Sequence, residues 1–229
     1  MDRSAARGGS SEEREFAILV EELRALGKDI AAARAASARA RAPMGLSTHR
    51  EPPAPRLSGE RIRLPDGAEI VIRPIEADDA PLLRLTLGHL SALSRYRRFR
   101  EPVDHFSPSE LDELTHADHR TREALVALDP VAGEGIGIAG YVRDAHDAKG
   151  AEVTYLVTDA WQSRRVGTAL LERLAARARA AGLERFTATT VVGSEDARRL
   201  LAHVADPVSE HRDGGIVEVT AQLRSSGAR

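Results

Sequence analysis

The chain has 229 residues, of which 42% are hydrophobic, and a formal net charge of -2 at pH 7. This length suits one catalytic domain with a short extra segment, and the near-neutral charge gives no reason to expect nucleic acid or an anionic membrane as a partner. The absence of cysteine excludes disulfides, thiolate metal sites and a cysteine nucleophile. No apolar run approaches the roughly 20 residues of a membrane span and no secretory signal is recognisable, so we expect a cytoplasmic protein.

The first 58 residues predict a helical extension that is separate from the main domain. Ser10 and Glu13 stand at capping-box spacing, and apolar residues recur at helical spacing from Phe16 to Ile30, which predicts a helix from about Ser11 to about Ala40. Residues 43–58 contain four prolines without apolar periodicity, which is typical of a linker. We therefore expect an N-terminal helix and Pro-rich linker over residues 1–58 and one domain over residues 59–229.

Within that domain, short alternating apolar runs predict strands, and capped runs at helical spacing predict helices. The predicted strands cover residues 61–64, 69–73, 123–128, 136–143, 152–158, 185–192 and 216–223. The predicted helices carry Leu82 to Leu93, begin at Pro108, and span residues 167–181 and 195–203, and Gly182 is the natural stop of the helix over residues 167–181. Strands both alternate with helices and follow one another directly, so the expected fold class is α/β, with a mixed (α+β) sheet flanked by helices.

A glycine-rich segment, Gly135 to Gly140, has the formal spacing G-x-G-x-x-G. The dinucleotide-binding version of this motif requires a helix directly after it, but here an alternating strand and a turn follow. We expect the small residues to allow close approach of a neighbouring strand or of an acyl chain.

Two histidines, His116 and His119, stand three residues apart, a spacing that can bind a metal ion. No third ligand is evident nearby, so no metal is expected. His119 is instead a candidate for the pocket of an acceptor amine.

The most informative stretch runs from Ala151 to Leu171, where a strand, a polar loop and a helix follow one another. A helix N-terminus presents unpaired N–H groups and the positive end of the helix dipole, so such a loop can bind an anion. Arg164 and Arg165 add positive charge there. The residues alone leave two interpretations open, a phosphate-binding loop and an ordinary turn with surface arginines.

The loop sequence Gln162-Ser163-Arg164-Arg165-Val166-Gly167 resembles the Gln/Arg-x-x-Gly-x-Gly/Ala signature of the GCN5-related N-acetyltransferases, the GNAT superfamily. Further short motifs, in order over roughly residues 59–204, are similar to those of the bacterial protein-lysine acetyltransferases; they include Ile72-Arg73-Pro74-Ile75, Asp118-His119-Arg120 and Ala151-Glu152-Val153. The resemblance implies a GNAT-like acyl-coenzyme A N-acyltransferase fold, and the predicted N-terminal helical extension lies outside it. It also implies acetyl-coenzyme A (acetyl-CoA) as co-substrate and no metal.

The same resemblance implies roles for individual residues. Glu152 would be the general base, because the attacking amine must be neutral whereas a lysine side chain has a pKa near 10.4. The alternative for Glu152 is a solvated strand acid or a member of an ion pair. The implied coenzyme-binding residues are Leu156, Val157 and Thr158, through their backbone groups along the pantetheine arm, and Gln162, Ser163, Arg164, Arg165, Val166, Gly167 and Thr168 around the pyrophosphate.

The chain departs from the family pattern at three positions. Arg165 stands where the first glycine of the signature is usual, Ser194 where an asparagine is common, and Leu201 where many members carry a tyrosine. The expected function is transfer of acetyl from acetyl-CoA to an amine. The resemblance favours a protein lysine, while a small-molecule amine and a peptide N-terminus stay open. The alternatives are a catalytically weak acyl-CoA-binding regulatory module and an interaction protein that docks through its N-terminal helix.

Overall fold

The computed structural model describes residues 56–91, 94, 95, 111, 115–192 and 196–225. The predicted N-terminal helix, most of the predicted linker, the start of the helix predicted at Pro108, and Ser194 lie outside the described residues.

One eight-stranded sheet forms the framework of the described chain. Its strands are β1 (Glu60–Arg63), β2 (Glu69–Pro74), β3 (Arg122–Asp129), β4 (Glu134–Arg143), β5 (Gly150–Val157), β6 (Arg185–Val191), β7 (Ala205–Asp213) and β8 (Ile216–Leu223). They lie in the order β1-β2-β3-β4-β5-β6-β8-β7. Every neighbouring pair is antiparallel except β5 and β6, which are parallel. The expected mixed sheet is confirmed.

Helices cover both faces of this sheet. The α-helices described over their full length are α1 (Ala80–Gly88), α2 (Val166–Ala180) and α3 (Asp196–Leu201). Ile70 and Ile72 of β2 belong to the core cluster around α2, whereas Val71 packs in a cluster with Leu82 of α1. Because successive strand residues point to opposite faces, α1 and α2 lie on opposite sides of the sheet.

The C-terminal end of α2 is fixed by a left-handed glycine, as the sequence predicts. Gly182 has φ +80°. The N–H of Leu183 donates to Ala178 O at 2.9 Å, and the N–H of Gly182 donates to Arg179 O at 2.9 Å. These bonds satisfy carbonyls that a helix end otherwise leaves unpaired, so the chain turns sharply into β6.

The glycine-rich segment lies inside β4, which confirms the strand interpretation. A Cβ added to Gly140 would lie 2.9 Å from Glu123 O, and one added to Gly137 would lie 3.0 Å from Leu156 O. Glycine is needed here because the neighbouring strands approach too closely for a side chain.

Two features of the fold differ from the sequence prediction. β7 was not predicted, because its nine residues contain Pro207 and are mostly polar or charged, without alternation. Only Ala205 is buried, since β7 is an edge strand that pairs with β8 alone. In addition, α1 ends at Gly88, whereas the predicted helix extends to Leu93.

Arg56, which the sequence analysis assigns to the linker, is bonded to the domain. Its carbonyl oxygen accepts from Nε of Arg73 at 2.8 Å, and its guanidinium pairs with Glu76 at 2.7 Å. Arg73 is buried and also forms a two-pronged ion pair with the buried Asp79, with both N–O distances at 2.7 Å. The carbonyl of Arg56 therefore helps to satisfy a buried charge of the domain.

Candidate active site

The parallel strands β5 and β6 separate along their length. They pair at Gly150–Arg185, Ala151–Phe186 and Glu152–Thr187. Beyond these pairs both strands line a cavity of about 430 Å³. Its wall also includes residues 161–163, 165–168, Ala197, Arg199, Leu200 and His203. The separation opens a cleft between the two strands, and its far end is the loop before α2.

The hydrogen-bond pattern of β5 decides which of its backbone groups face this cleft. Thr158 N–H donates to Ile136 O at 2.9 Å, which continues the ladder with β4. In an antiparallel ladder alternate residues bond to the partner strand, so the backbone groups of Leu156 also face β4. Those of Val157, which lies opposite Gly137, face the cleft instead.

This pattern corrects the prediction that all three residues offer backbone groups to a pantetheine arm. Thr158 does not, because its N–H is bonded to Ile136 and its carbonyl accepts from Trp161 N–H at 2.9 Å. Leu156 contributes its side chain to the cavity wall. Of the predicted three, Val157 is the residue whose backbone is directed into the cleft.

The loop before α2 has an unusual backbone. Ser163 has φ +60° and Arg165 has φ +74°, both in the left-handed region that non-glycine residues rarely adopt. The first bond of α2 runs from Ala169 N–H to Arg165 O at 3.0 Å, so the N–H groups of residues 166–168 have no acceptor within the helix. Successive N–H groups in such a turn form a concavity that suits an anion.

Gln162 anchors this loop through its side chain. Its amide Nε2 lies 3.1 Å from Val157 O, 2.9 Å from Asp159 Oδ1 and 3.1 Å from Ser94 Oγ. Asp159 also accepts from the N–H of Ser91 at 2.6 Å and from the hydroxyl of Ser94 at 2.5 Å. Partial burial by itself would raise the pKa of Asp159. The hydrogen bonds from Ser94, Ser91 and Gln162 outweigh this effect, so the pKa of Asp159 is lowered. The network joins the loop to β5 and to the segment after α1.

Arg164 and Arg165 are adjacent but point to different places. The Nε of Arg164 donates to Asp66 Oδ2 at 2.6 Å, and its guanidinium lies 3.9 Å from the centre of the Trp161 ring. Arg164 is not among the residues that line the cavity, whereas Arg165 is. The expected positive charge at the loop thus comes from Arg165, while that of Arg164 is paired with the turn between β1 and β2.

Glu152 lies at the opposite end of the cavity wall from the loop. Its side chain is exposed and lines the cavity, and it has no hydrogen-bond or ion-pair partner among the described residues. Five residues of strand at roughly 3.3 Å each put Glu152 about 17 Å from Val157. An acidic group therefore stands at one end of the cleft and the anion-type loop at the other.

The structure does not bring His119 to this cleft. Its Nδ1 lies 3.1 Å from Oε1 of the buried Glu123, whose other oxygen is 3.1 Å from Nη1 of Arg177 on α2. Glu123 lies opposite Tyr141, which in turn lies opposite Val153, so its side chain is on the α2 face rather than on the face of Glu152. His119 is also not among the residues that line the cavity.

Leu201 does not face the cleft either. It is a core residue with 3% of its surface exposed, and its neighbour Leu200 lines the cavity instead. Among the described wall residues of α3 and the turn that follows it, no tyrosine is present.

Several cavity residues have no clear signal in the sequence. Asp159, two residues after the end of β5, does not line the cavity but holds Gln162, which does, and its place in a polar loop could have suggested a role. His203 and Arg199 reach the cavity only because α3 packs beside the start of α2: a Cβ added to Gly167 would lie 3.4 Å from Cδ2 of Leu200. None of the described helices is both long and apolar enough to cross a membrane.

Comparisons with known proteins agree with this geometry. Residues 91–204 match the Acetyltransferase (GNAT) family. The GNAT domain of PAT from S. lividans is 32% identical, with a TM-score of 0.65 over 72% of this chain and 96% of that one. Acetyltransferase Pat of Mycolicibacterium smegmatis is 26% identical over 140 residues, which are 61% of this chain and 42% of the relative. The structure of yncA from Salmonella typhimurium with its cofactor acetyl-CoA is 18% identical, with a TM-score of 0.51 over 70% of this chain and 96% of that one.

The separated parallel strands and the loop that leads into α2 define the class as an acyltransferase. The chain belongs to the GCN5-related N-acetyltransferase family. The expected family, fold and enzyme class, an acetyl-CoA-dependent acyltransferase, are therefore confirmed. The match spans less than half of the length of the M. smegmatis Pat.

Proposed function

We propose that this chain transfers an acetyl group from acetyl-CoA to a primary amine, and that Glu152 accepts the proton which the amine must lose. The observation that carries the proposal is the arrangement of the cleft, with an exposed carboxylate at one end and a loop of unpaired N–H groups at the other. The two ends suit an ammonium and a pyrophosphate respectively.

The coenzyme would lie along β5. The N–H groups of residues 166–168 would hold the pyrophosphate, and the N–H of Val157 would bond to the pantetheine arm, while Val157 O is bonded to Gln162. The acetyl group would then reach the paired end of β5 and β6, where Glu152 stands. This placement of the coenzyme is supported by a structural neighbour of the same fold that was solved with acetyl-CoA.

The chemical step is a direct transfer. A proton leaves the ammonium for the Glu152 carboxylate, directly or through water, and the neutral nitrogen attacks the acetyl carbonyl carbon. The C–N bond forms, the C–S bond breaks, and the nitrogen gives up its second proton, which reaches the departing thiolate of coenzyme A through water. The exposed position of Glu152 lets it pass its proton to solvent.

A protein lysine is the acceptor that we favour. The support is the similarity to the relatives named PAT and Pat, together with the exposure of Glu152, which a lysine on another protein could approach. The second candidate is a catalytically weak acyl-CoA-binding module. It is favoured by the left-handed backbone at Arg165 and by Leu201, which is buried away from the cleft.

Incubation of the full chain with acetyl-CoA and a cell lysate tests the proposal. Release of free thiol and new acetyl-lysine, measured by mass spectrometry, are expected, and both should fall strongly when Glu152→Gln replaces the wild type. Tight acetyl-CoA binding without thiol release, whether a lysine peptide, a small amine or a peptide N-terminus is supplied, would establish the regulatory module instead.

A further inference from the structure

The basic end of the cleft carries more positive charge than a pyrophosphate loop of backbone groups requires. Arg165, Arg199 and His203 all line the cavity at this end. Arg165 directly precedes α2, whereas Arg199 lies on α3 and His203 lies in the turn that follows α3. The Nη1 of Arg165 lies 3.5 Å from Nε2 of His203.

Arg165 occupies this place at a cost in backbone energy. A left-handed conformation, here φ +74°, is unfavourable for a non-glycine residue, and strain of this kind is concentrated at functional sites. The neighbouring Arg164 shows the contrast, because its charge is paired with Asp66 and it stays out of the cavity. Arg164 thus forms a structural ion pair with Asp66, whereas Arg165 lines the cleft.

The surroundings of His203 leave this end of the cleft positive. Its carbonyl oxygen accepts from Arg224 at 3.4 Å, and the nearby acid Asp206 is already paired with Arg224 at 2.9 Å. Arg165 lies beside the imidazole and Arg199 lines the same cavity, whereas the acid among the described wall residues, Glu152, stands at the opposite end. Such a cluster attracts a dianion more strongly than a neutral ligand.

We propose that Arg165, His203 and Arg199 form a second phosphate site, which recognises the ribose 3′-phosphate of coenzyme A. The inference rests on the proposed function, which assigns the pyrophosphate to the backbone groups of residues 166–168. A monoester phosphate is the remaining anion of the coenzyme, and a guanidinium beside an imidazole can bond it from two directions. The cluster makes the enzyme select coenzyme A over an acyl carrier that lacks this phosphate.

Calorimetric titration of the full chain with coenzyme A and with 3′-dephospho-coenzyme A tests this site at low salt, where charge contacts are least screened. We expect the wild type to bind the dephospho form at least about tenfold more weakly. The double variant Arg165→Gln/His203→Gln should bind both ligands within about threefold of each other, because the charge-assisted bonds are gone. Arg198→Gln is the control: Arg198 lies on α3 next to Arg199 but outside the cavity wall, so this variant should keep the wild-type preference for coenzyme A.

The wild-type comparison is decisive without any variant. Equal affinity for the two ligands would overturn the second phosphate site and leave the proposed function intact. Failure to bind either ligand would overturn the proposed function and this inference together. A preference that survives in the double variant would show that other groups recognise the 3′-phosphate.

Discussion

The side-chain amide of Gln162 lies 3.1 Å from the main-chain oxygen of Val157, the last residue of β5. This bond fixes the loop on the strand whose backbone faces the cleft. A glutamine in this loop therefore acts by holding the backbone in place, and its amide is already bonded within the protein.

Removal of this anchor should weaken coenzyme binding without unfolding the domain. Gln162→Ala deletes the bonds to Val157, Asp159 and Ser94, so the N–H groups at the start of α2 are less well positioned. We expect acetyl-CoA affinity to fall about three- to tenfold, measured by calorimetry, for the loss of about 1 kcal/mol of positioning hydrogen bonds. Gln222→Ala, an exposed glutamine on β8, is the matched control. Unchanged affinity in Gln162→Ala would mean that the loop is held by its backbone alone.

The stability contributed by Asp159 should depend on pH in one direction. Its pKa is lowered because, against the effect of partial burial, Ser94, Ser91 and Gln162 donate to its ionised form. The contribution is therefore present above the unfolded carboxyl pKa of about 3.9 and is lost as the pH falls through the lower folded value. The melting temperature of Asp159→Asn should lie below that of the wild type at pH 6, and the gap should close in acid. A gap that widens in acid would contradict this sign, and Asp213→Asn on the edge strand β7 provides a surface control.

Relief of the strained loop should separate fold stability from coenzyme binding. Arg165→Gly removes the side chain from a residue with left-handed backbone, and so relieves about 1–2 kcal/mol of backbone strain. The melting temperature should therefore rise by several degrees. The same change removes a cation from the cavity wall, so acetyl-CoA affinity should fall. Ser163→Gly relieves similar strain at φ +60° without removing a charge, and its affinity loss should be smaller. Tighter binding by Arg165→Gly would show that the arginine obstructs the coenzyme.

Because β4 packs closely against α1, replacing Gly135 of β4 by alanine should destabilise the fold. A Cβ at Gly135 would clash with Oγ1 of Thr86 and lie 3.2 Å from Cγ of Leu82. Gly135→Ala should therefore lower the free energy of unfolding by about 1–3 kcal/mol, as overpacking typically does. Gly88→Ala at the end of α1, where an added Cβ meets nothing within 4 Å, is the control for glycine entropy and should be neutral or stabilising. Equal melting temperatures for both variants would show that Thr86 can move aside.

Loss of the carboxylate at residue 152 should affect rate rather than affinity. Glu152→Gln keeps the shape of the side chain but cannot accept a proton, and general-base catalysis is worth about 10²–10⁴ in rate. We expect turnover with an identified acceptor to fall by about 10²-fold or more at pH 7, with near-normal acetyl-CoA affinity and melting temperature. The deficit should shrink at higher pH, where more of the amine is already neutral.

A matched variant separates this effect from a general change in charge. Glu218→Gln removes an exposed carboxylate from β8 of the same sheet, outside the cavity wall, and should leave turnover near the wild-type value. If Glu152→Gln loses less than about threefold in rate, the deficit is too small for general-base catalysis and Glu152 is a solvated strand acid.

The sequence alone determined the framework, because local patterns specify it. Alternation predicted seven of the eight strands, and Gly182 marked the end of α2 where a left-handed residue was required. The loop motif from Gln162 to Gly167 indicated the family because its function depends on backbone order in a short continuous segment. β7 escaped prediction because an edge strand exposed on both faces needs no alternation.

The tertiary structure decided which members of the loop face the cleft. Arg164 and Arg165 are equivalent in sequence, but Asp66, 98 residues away along the chain, binds the first, and the left-handed backbone directs the second into the cavity. Alternate residues of β5 bond to β4, so the backbone N–H of Thr158 is directed to β4 and the backbone groups of Val157 are directed to the cleft. His203 joined the site only through the packing of α3 beside α2. These outcomes depend on contacts between residues distant in the chain, which no local pattern encodes.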